Sequence, residues 1–251
     1  LLTPRCRLAS GHNTSTPYPY MCTRYISPEQ GAIERAWHIG RDNSEAWLRQ
    51  VFGVELFPRQ TGPFLRRSRG DVEGFSLELV AGRWGLIPPF ATSPDVKFAT
   101  WNARSEEMAS KASFRDAWAR GQRCIIPATA FYEPNWETGR NVWWRFQRAD
   151  GEPWGLAGLW HRWVDRRSGE AHESYTMLTL HANGHPLMGR MHKPEVDPAT
   201  RQPLPPHLQD KRSVIPIERG DVGQWLAGTV AEAQSLLKVP PVDLFDAEPD
   251  A

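Results

Sequence analysis

Apolar and polar positions alternate through Phe75-Ser76-Leu77-Glu78-Leu79-Val80, the period of a half-buried strand. Runs rich in β-branched and aromatic residues follow at 123–133, 142–148, 154–164 and 173–181, and each reads as strand. Helical signals are shorter. Ser27-Pro28-Glu29-Gln30 sets a capping Ser before Pro at the first helical position, with Gln three residues after the cap, so a helix is predicted to about Trp37. A second helix is predicted over Ser44 to Phe52. Phe114, Ala117 and Trp118 have helical spacing within Lys111 to Gly121, and two short helices are expected near 218–227 and 230–237. Residues 54–74 are turn-rich, with Pro58, Gly62, Pro63, Gly70 and Gly74, and the Pro-rich stretch 193–211 reads as a surface loop. The expected fold class is α+β, a strongly bent mixed/antiparallel β-sheet forming a pseudo-barrel with flanking helices.

Residues 1–20 are polar, rich in Pro and Thr, and without period, so they read as a disordered leader or a misassigned start. Met21 precedes the first segment that looks folded. A single domain is expected over 21–240, followed by an acidic tail at 241–251. No internal repeat or low-complexity tract interrupts it.

Composition changes this picture little. The 24% charged and 40% hydrophobic content is that of a soluble globular chain, and no apolar run approaches the ~20 residues needed to span a membrane. The first 20 residues lack the apolar core of a secretory signal, so a cytoplasmic location is expected. Three cysteines without metal-type spacing point away from a zinc site or disulfide framework, and no metal or cofactor is expected. The net charge of +1 carries no global nucleic-acid signature. The basic clusters Arg66-Arg67-Ser68-Arg69 and Lys211-Arg212 read first as solvated faces. Twelve Trp offer stacking faces or core filler.

Candidate chemistry begins at Cys22. If Met21 is an initiator that is removed, Cys22 carries an amine and a thiol near one carbon. The α-amine titrates near ~7.7–8.0 and the thiol near ~8.5, and such an aminothiol captures aldehydes through a Schiff base that the thiol closes to a thiazolidine. The plain alternative is a buried, inert Cys. Asn102 and Ser105, in Trp101-Asn102-Ala103-Arg104-Ser105-Glu106, can cap a helix, while Arg104 suits a phosphate. Glu133, flanked by Phe131, Tyr132 and Trp136, is either an exposed strand end or a carboxyl whose burial suits it to proton transfer. His192 in Gly189-Arg190-Met191-His192-Lys193-Pro194 competes with His185 and His181 for a catalytic role.

Together these motifs resemble the SOS response-associated peptidase (SRAP) family of abasic-site sensors. The resemblance rests on Met21-Cys22-Thr23-Arg24-Tyr25, Trp84-Gly85-Leu86-Ile87-Pro88, Asn102 to Glu106, Arg123 to Ala128, Phe131-Tyr132-Glu133-Pro134, Ala157-Gly158-Leu159-Trp160 and Tyr175 to Thr179, in the family's order over about residues 21–217. It implies that Cys22 forms the thiazolidine with a ring-opened abasic sugar in single-stranded DNA. Asn102 would orient its amine and Glu133 would transfer protons. His192 would stabilise the open sugar and assist reversal or strand cleavage. Arg24, Trp84 and Arg104 would line the DNA channel, holding phosphate and stacking on a base. A monomer is the default expectation.

The chain departs from the family pattern at Thr23, where Gly is usual, and at Pro134, where Trp is usual. The family's compact His-Asp-Arg-Met-Pro block is also broken, so that residues 193–209 become an insertion between His192 and Asp210. Rival readings are a thiol (auto)peptidase built from Cys22, His192 and Asn102, and a non-catalytic single-strand binding module.

Overall fold

The computed structural model describes residues 22–39, 52–68 and 75–250. In chain order the elements are β1 (Tyr25–Ile26), α1 (Gln30–Trp37), β2 (Glu55–Leu56), β3 (Thr61–Arg67), β4 (Leu77–Trp84), β5 (Asn102–Arg104), α2 (Arg115–Ala119), β6 (Arg123–Ala128), β7 (Ala130–Asn135), β8 (Val142–Arg148), β9 (Trp154–Val164), β10 (Ala171–His181), β11 (Arg212–Val214), α3 (Val222–Ala227), α4 (Val230–Ser235) and β12 (Phe245–Pro249). β10, β4, β3, β6 and β9 pair in turn, and β9 pairs back to β10, so five strands close on themselves. The barrel is mixed because β4 runs parallel to β10 while its other pairings are antiparallel. β5 and β11 extend it at β10. A second, antiparallel sheet has the order β12-β8-β7-β1-β2. The expected α+β pseudo-barrel is therefore present.

Two cores explain the apolar runs. Along β6, Cys124 and Ile126 join Tyr25, Phe64, Trp84, Phe131 and Trp154. Ile125 points the other way, to Ile33, Trp37, Leu65 and Trp225. A strand buried on both faces needs no polar alternation, and each such side chain removed from water contributes roughly 1.5–3 kcal/mol. Gly158 on β9 is required by this closeness: a Cβ there would lie 2.7 Å from the Thr176 carbonyl oxygen and 2.8 Å from Cys124 Sγ.

The run 123–133 is two strands in two sheets. Only Thr129 separates β6 from β7, and its N–H donates to the Ile26 carbonyl at 2.8 Å. That hinge carries Glu133 into the second sheet, while Asn102 stays at the barrel.

Several expectations are corrected. Ser27 does not cap α1. Its hydroxyl donates to the Val54 carbonyl at 3.3 Å, and Glu29 holds the cap position. The 111–121 helix shrinks to α2, preceded by turns. The strand expected at 75–80 begins at Leu77 and runs on to Trp84. The turn-rich stretch 54–74 contains β2 and β3, the latter a barrel strand. The acidic end forms β12, paired along β8. Residues 193–208 run over the surface as expected, but Gln209 and Lys211 are buried. Arg66 is buried against Trp160 and paired with Glu78 and Glu173, and Lys211 and Arg212 are buried too, so neither cluster is simply a solvated face. The leader, Met21 and nearly all of the helix expected over 44–52 lie outside the described residues. Among the described residues, no helix is long and apolar enough to cross a membrane.

Candidate active site

Cys22 lies just before β1, Asn102 opens β5, Glu133 lies on β7 and His192 follows β10, so the four meet where barrel and second sheet face each other. Asn102 Nδ2 donates to the Cys22 carbonyl at 2.7 Å. This fixes the amide's orientation and leaves Asn102 Oδ1 buried without a donor. Neither Asn102 nor Ser105 caps a helix, since Asn102 opens β5 and Ser105 follows it into turns. The Cys22 backbone N–H donates to the Glu133 carboxylate, and Glu133 Oε2 meets His192 Nε2 at 2.9 Å. Glu133 is thus no exposed strand end.

Electrostatics follow from burial. Desolvation pushes the Glu133 carboxyl above its ordinary value, opposed by the His192 ring and by the Cys22 N–H. The Cys22 thiol is driven well above the usual thiol range, first by complete burial and then by the Glu133 charge. Its Sγ donates to the Arg24 carbonyl at 3.7 Å, and backbone hydrogen bonds at Arg24 and Tyr132 oppose the rise.

His192 is held from every side. Its Nδ1 accepts the Arg212 N–H at 3.3 Å, which assigns the ring proton to Nε2, facing Glu133. Its own N–H donates to the Pro134 carbonyl at 2.6 Å, and Lys211 Nζ donates to the Met191 and His192 carbonyls, each at 2.7 Å. These bonds hold His192 at φ 65°, a left-handed conformation that costs a non-glycine residue roughly 1 kcal/mol or more. Lys211 and Arg212 were missed as site residues. Their signal was position: both lie within three residues of the apolar run Val214-Ile215-Pro216, so one must face inward. His185 is structural, because Nδ1 accepts the Leu187 and Met188 N–H groups and Nε2 faces the Pro240 carbonyl at 2.9 Å. His181 reaches the Gln209 carbonyl and does not join the cluster.

The expected DNA contacts fare differently. Trp84 is fully buried, its Nε1 donating to the Trp101 carbonyl at 2.8 Å and its ring set edge-on to Tyr25, so it presents no face to a base. Arg24 lies over the Tyr132 ring and pairs with Glu55 and Asp250. Arg104 pairs with Asp210 and, at 3.7 Å, with Glu107, but remains 34% exposed. It shares a cleft of about 390 Å³ with Asn102, Lys111 and Phe114, so Asn102 is the one member of the cluster that lines it.

Comparison with known proteins agrees with the motif pattern. Residues 21–249 match the SOS response associated peptidase (SRAP) family. The chain is 27% identical over 173 residues to a Gallus gallus protein named abasic site processing protein HMCES, covering 57% of this chain and 51% of that one. It is 32% identical over 111 residues to abasic site processing protein YoqW of Bacillus subtilis, covering 44% and 48%. The matches thus span about half the length of these relatives. A crystal structure of a Bordetella bronchiseptica protein superposes with TM-score 0.74 at 34% identity, covering 92% of this chain and all of the other. One from Bacteroides thetaiotaomicron shares the fold at TM-score 0.67 and 20% identity.

Proposed function

The chain belongs to the SOS response associated peptidase family, and from that premise we propose that it senses abasic sites in single-stranded DNA by forming a covalent link through Cys22, once the residues before Cys22 are removed. The relatives named abasic site processing proteins support this reading. The observation that carries it is the line from the Cys22 nitrogen to the Glu133 carboxylate to His192 Nε2, with the unpaired Asn102 Oδ1 beside it. A free amine would keep the Glu133 bond and give Asn102 Oδ1 the donor it lacks.

The chemistry balances without a cofactor. The amine attacks the aldehyde carbon of the ring-opened sugar, and Glu133, its proton affinity raised by burial, returns a proton as water leaves and the C=N bond forms. The thiol adds to that carbon, its proton passing to nitrogen, and a five-membered thiazolidine results. His192 Nε2–H, anchored from Nδ1, is a donor for the sugar oxygen or for Glu133. Arg104 in the cleft beside Asn102 serves a phosphate, exchanging Asp210 for it. The adduct would shield the lesion during the damage response. The thiol-peptidase reading has less support, because both His192 ring nitrogens are committed away from Cys22 Sγ.

The test mixes protein beginning at Cys22 with single-stranded DNA bearing one abasic site and resolves the products on a denaturing gel. Cys22→Ala and a chain retaining residues 1–21 run beside it. A heat-resistant shifted band only with free Cys22 is expected. A band from the chain with an internal Cys22, or none from any chain, overturns the proposal.

A further inference from the structure

Asp210 occupies Arg104, the arginine assigned above to a phosphate. Its Oδ2 accepts from Arg104 Nη2, and its Oδ1 lies 3.4 Å from Arg212 Nη1, so one carboxylate bridges two guanidiniums. The two ends of the bridge differ. Arg212 is buried and has a second carboxylate, since Glu106 accepts from Nη1 at 3.2 Å and from Nη2 at 2.7 Å. Arg104 is partly exposed, and its other anion, Glu107, is 3.7 Å away and shared with Lys111 at 3.3 Å. Asp210 is therefore the main counter-charge of Arg104 and the lesser one of Arg212.

The backbone fixes Asp210 in this place. On one side the buried Gln209 clamps the base of the 193–209 insertion. Its Oε1 accepts the Glu195 N–H at 2.8 Å, and its Nε2 donates to the Glu195 and Leu204 carbonyls at 3.1 and 2.7 Å. On the other side the Lys211 N–H donates to Asn183 Oδ1 at 2.8 Å, in addition to the two carbonyl bonds of its Nζ. Movement is left to the Asp210 side chain. A carboxylate held on a guanidinium offers the acceptor oxygens that a phosphate would offer there. The place matters because Arg104 and Asn102 stand two residues apart on β5, about 7 Å along the strand, and line one cleft. Asn102 in turn holds the Cys22 carbonyl at 2.7 Å. An anion on Arg104 is thus delivered beside Cys22.

We propose that Asp210 is a specificity residue, an internal competitor for phosphate that keeps small phosphorylated aldehydes off Arg104 and so away from Cys22. An aminothiol condenses with any aldehyde, amine and thiol both bonding to the carbonyl carbon as one water leaves, and a captured sugar phosphate would block it. Such a molecule has one phosphate, which must displace Asp210 to gain its contact with Arg104. Displacing a partly exposed ion pair weakens binding by about fivefold. Capture of a small molecule below saturation falls by the same factor. A DNA strand brings further phosphates and bases, stays bound despite the displacement, and is captured at the limiting rate. The inference rests on the assignment of Arg104 to phosphate and of Cys22 to aldehyde capture.

The test follows capture of glyceraldehyde 3-phosphate and of phosphate-free glyceraldehyde by mass spectrometry, with the chain beginning at Cys22. Asp210→Asn keeps the size and an acceptor oxygen but removes the charge, and Asp210→Ser is a second neutral variant. Melting temperatures establish that each is folded. The neutral variants are expected to lower the half-saturating concentration of the phosphorylated aldehyde about fivefold at an unchanged limiting rate, and to leave glyceraldehyde capture as it was. Intact single-stranded DNA should bind them more tightly at low salt, with a salt slope steeper by about one, because Arg104 then enters the complex without an internal partner. Glu107→Gln removes the same charge from the same cleft and should move both readouts less. Equal effects on the two aldehydes, equal effects of the Asp210 and Glu107 variants, or no effect of neutralising Asp210 overturns the proposal. Arg104→Ala separates that failure from failure of the reading beneath it. Undiminished strand binding by Arg104→Ala removes the phosphate role of Arg104 itself, and no adduct with glyceraldehyde removes the Cys22 chemistry; either outcome takes the proposal with it.

Discussion

Lys211 shows how a residue remote from the chemistry can hold it in place. Its Nζ bonds two successive carbonyls, Met191 and His192, inside the protein, and so pins the backbone at the residue with left-handed φ. Lys211→Met removes a buried charge but leaves two carbonyls without donors, so an expected loss of about 2–3 kcal/mol follows. Urea unfolding measures that loss. Aldehyde capture should slow as well, under conditions where the variant remains folded, because His192 Nε2 is no longer aimed. Unchanged stability together with an unchanged rate would mean that the Nζ contacts contribute nothing. The structure brings Cys22, Asn102, Glu133 and His192 together, and what singled them out in the sequence was the order of several motifs, because each alone reads as well as an inert thiol, a cap, a strand end or a structural histidine. The roles of Lys211, Arg212 and Trp84 were not legible. A Lys-Arg pair reads as surface until the fold turns both inward, and a Trp reads equally as platform or core.

Elements were legible where composition and period agreed. β8 and β9 fall at 142–148 and 154–164 as the β-rich runs indicate. β3 was hidden by Gly62 and Pro63, which usually break strands. Here Gly62 is tolerated because a Cβ would meet the Tyr25 and Tyr175 hydroxyls and Leu56, all within 2.7 Å. β12 was hidden by its acidic residues, which an edge strand carries without cost on its open face. Its anchor is Phe245, packed on Phe131, Phe146 and Trp154 with centroids 5.4–6.5 Å apart, while Asp250 beyond it pairs with Arg24. Phe245→Ala should therefore cost about 3 kcal/mol in chemical denaturation, and hydrogen exchange along β8 should accelerate with it. A shift of only a few tenths of a kcal/mol would return residues 245–249 to the status of an unneeded tail.

At the scale of the molecule, closing a barrel against a second sheet buries weakly acidic thiols and phenols, and only Cys124 among the four has a cation, Arg66, opposing the effect of burial. Cys22, Cys124, Tyr25 and Tyr175 are fully buried, and burial pushes every one of them upward, with Tyr25 and Tyr175 sharing a hydrogen bond of 2.5 Å. The sign follows from the neutral form being favoured in the folded state. Stability from these groups is fully present below their unfolded values, near ~8.5 for thiols and ~10 for phenols, and is lost as pH rises toward the folded values. The urea midpoint should thus hold level up to about pH 8 and fall steeply beyond it. Cys124→Ala, which takes one buried thiol from the barrel core, should start from a lower midpoint because of the lost packing, yet descend with a shallower slope. Parallel slopes for the two proteins would show that the alkaline loss arises outside the core, and would remove burial as the reason the Cys22 thiol waits, protonated, for an aldehyde.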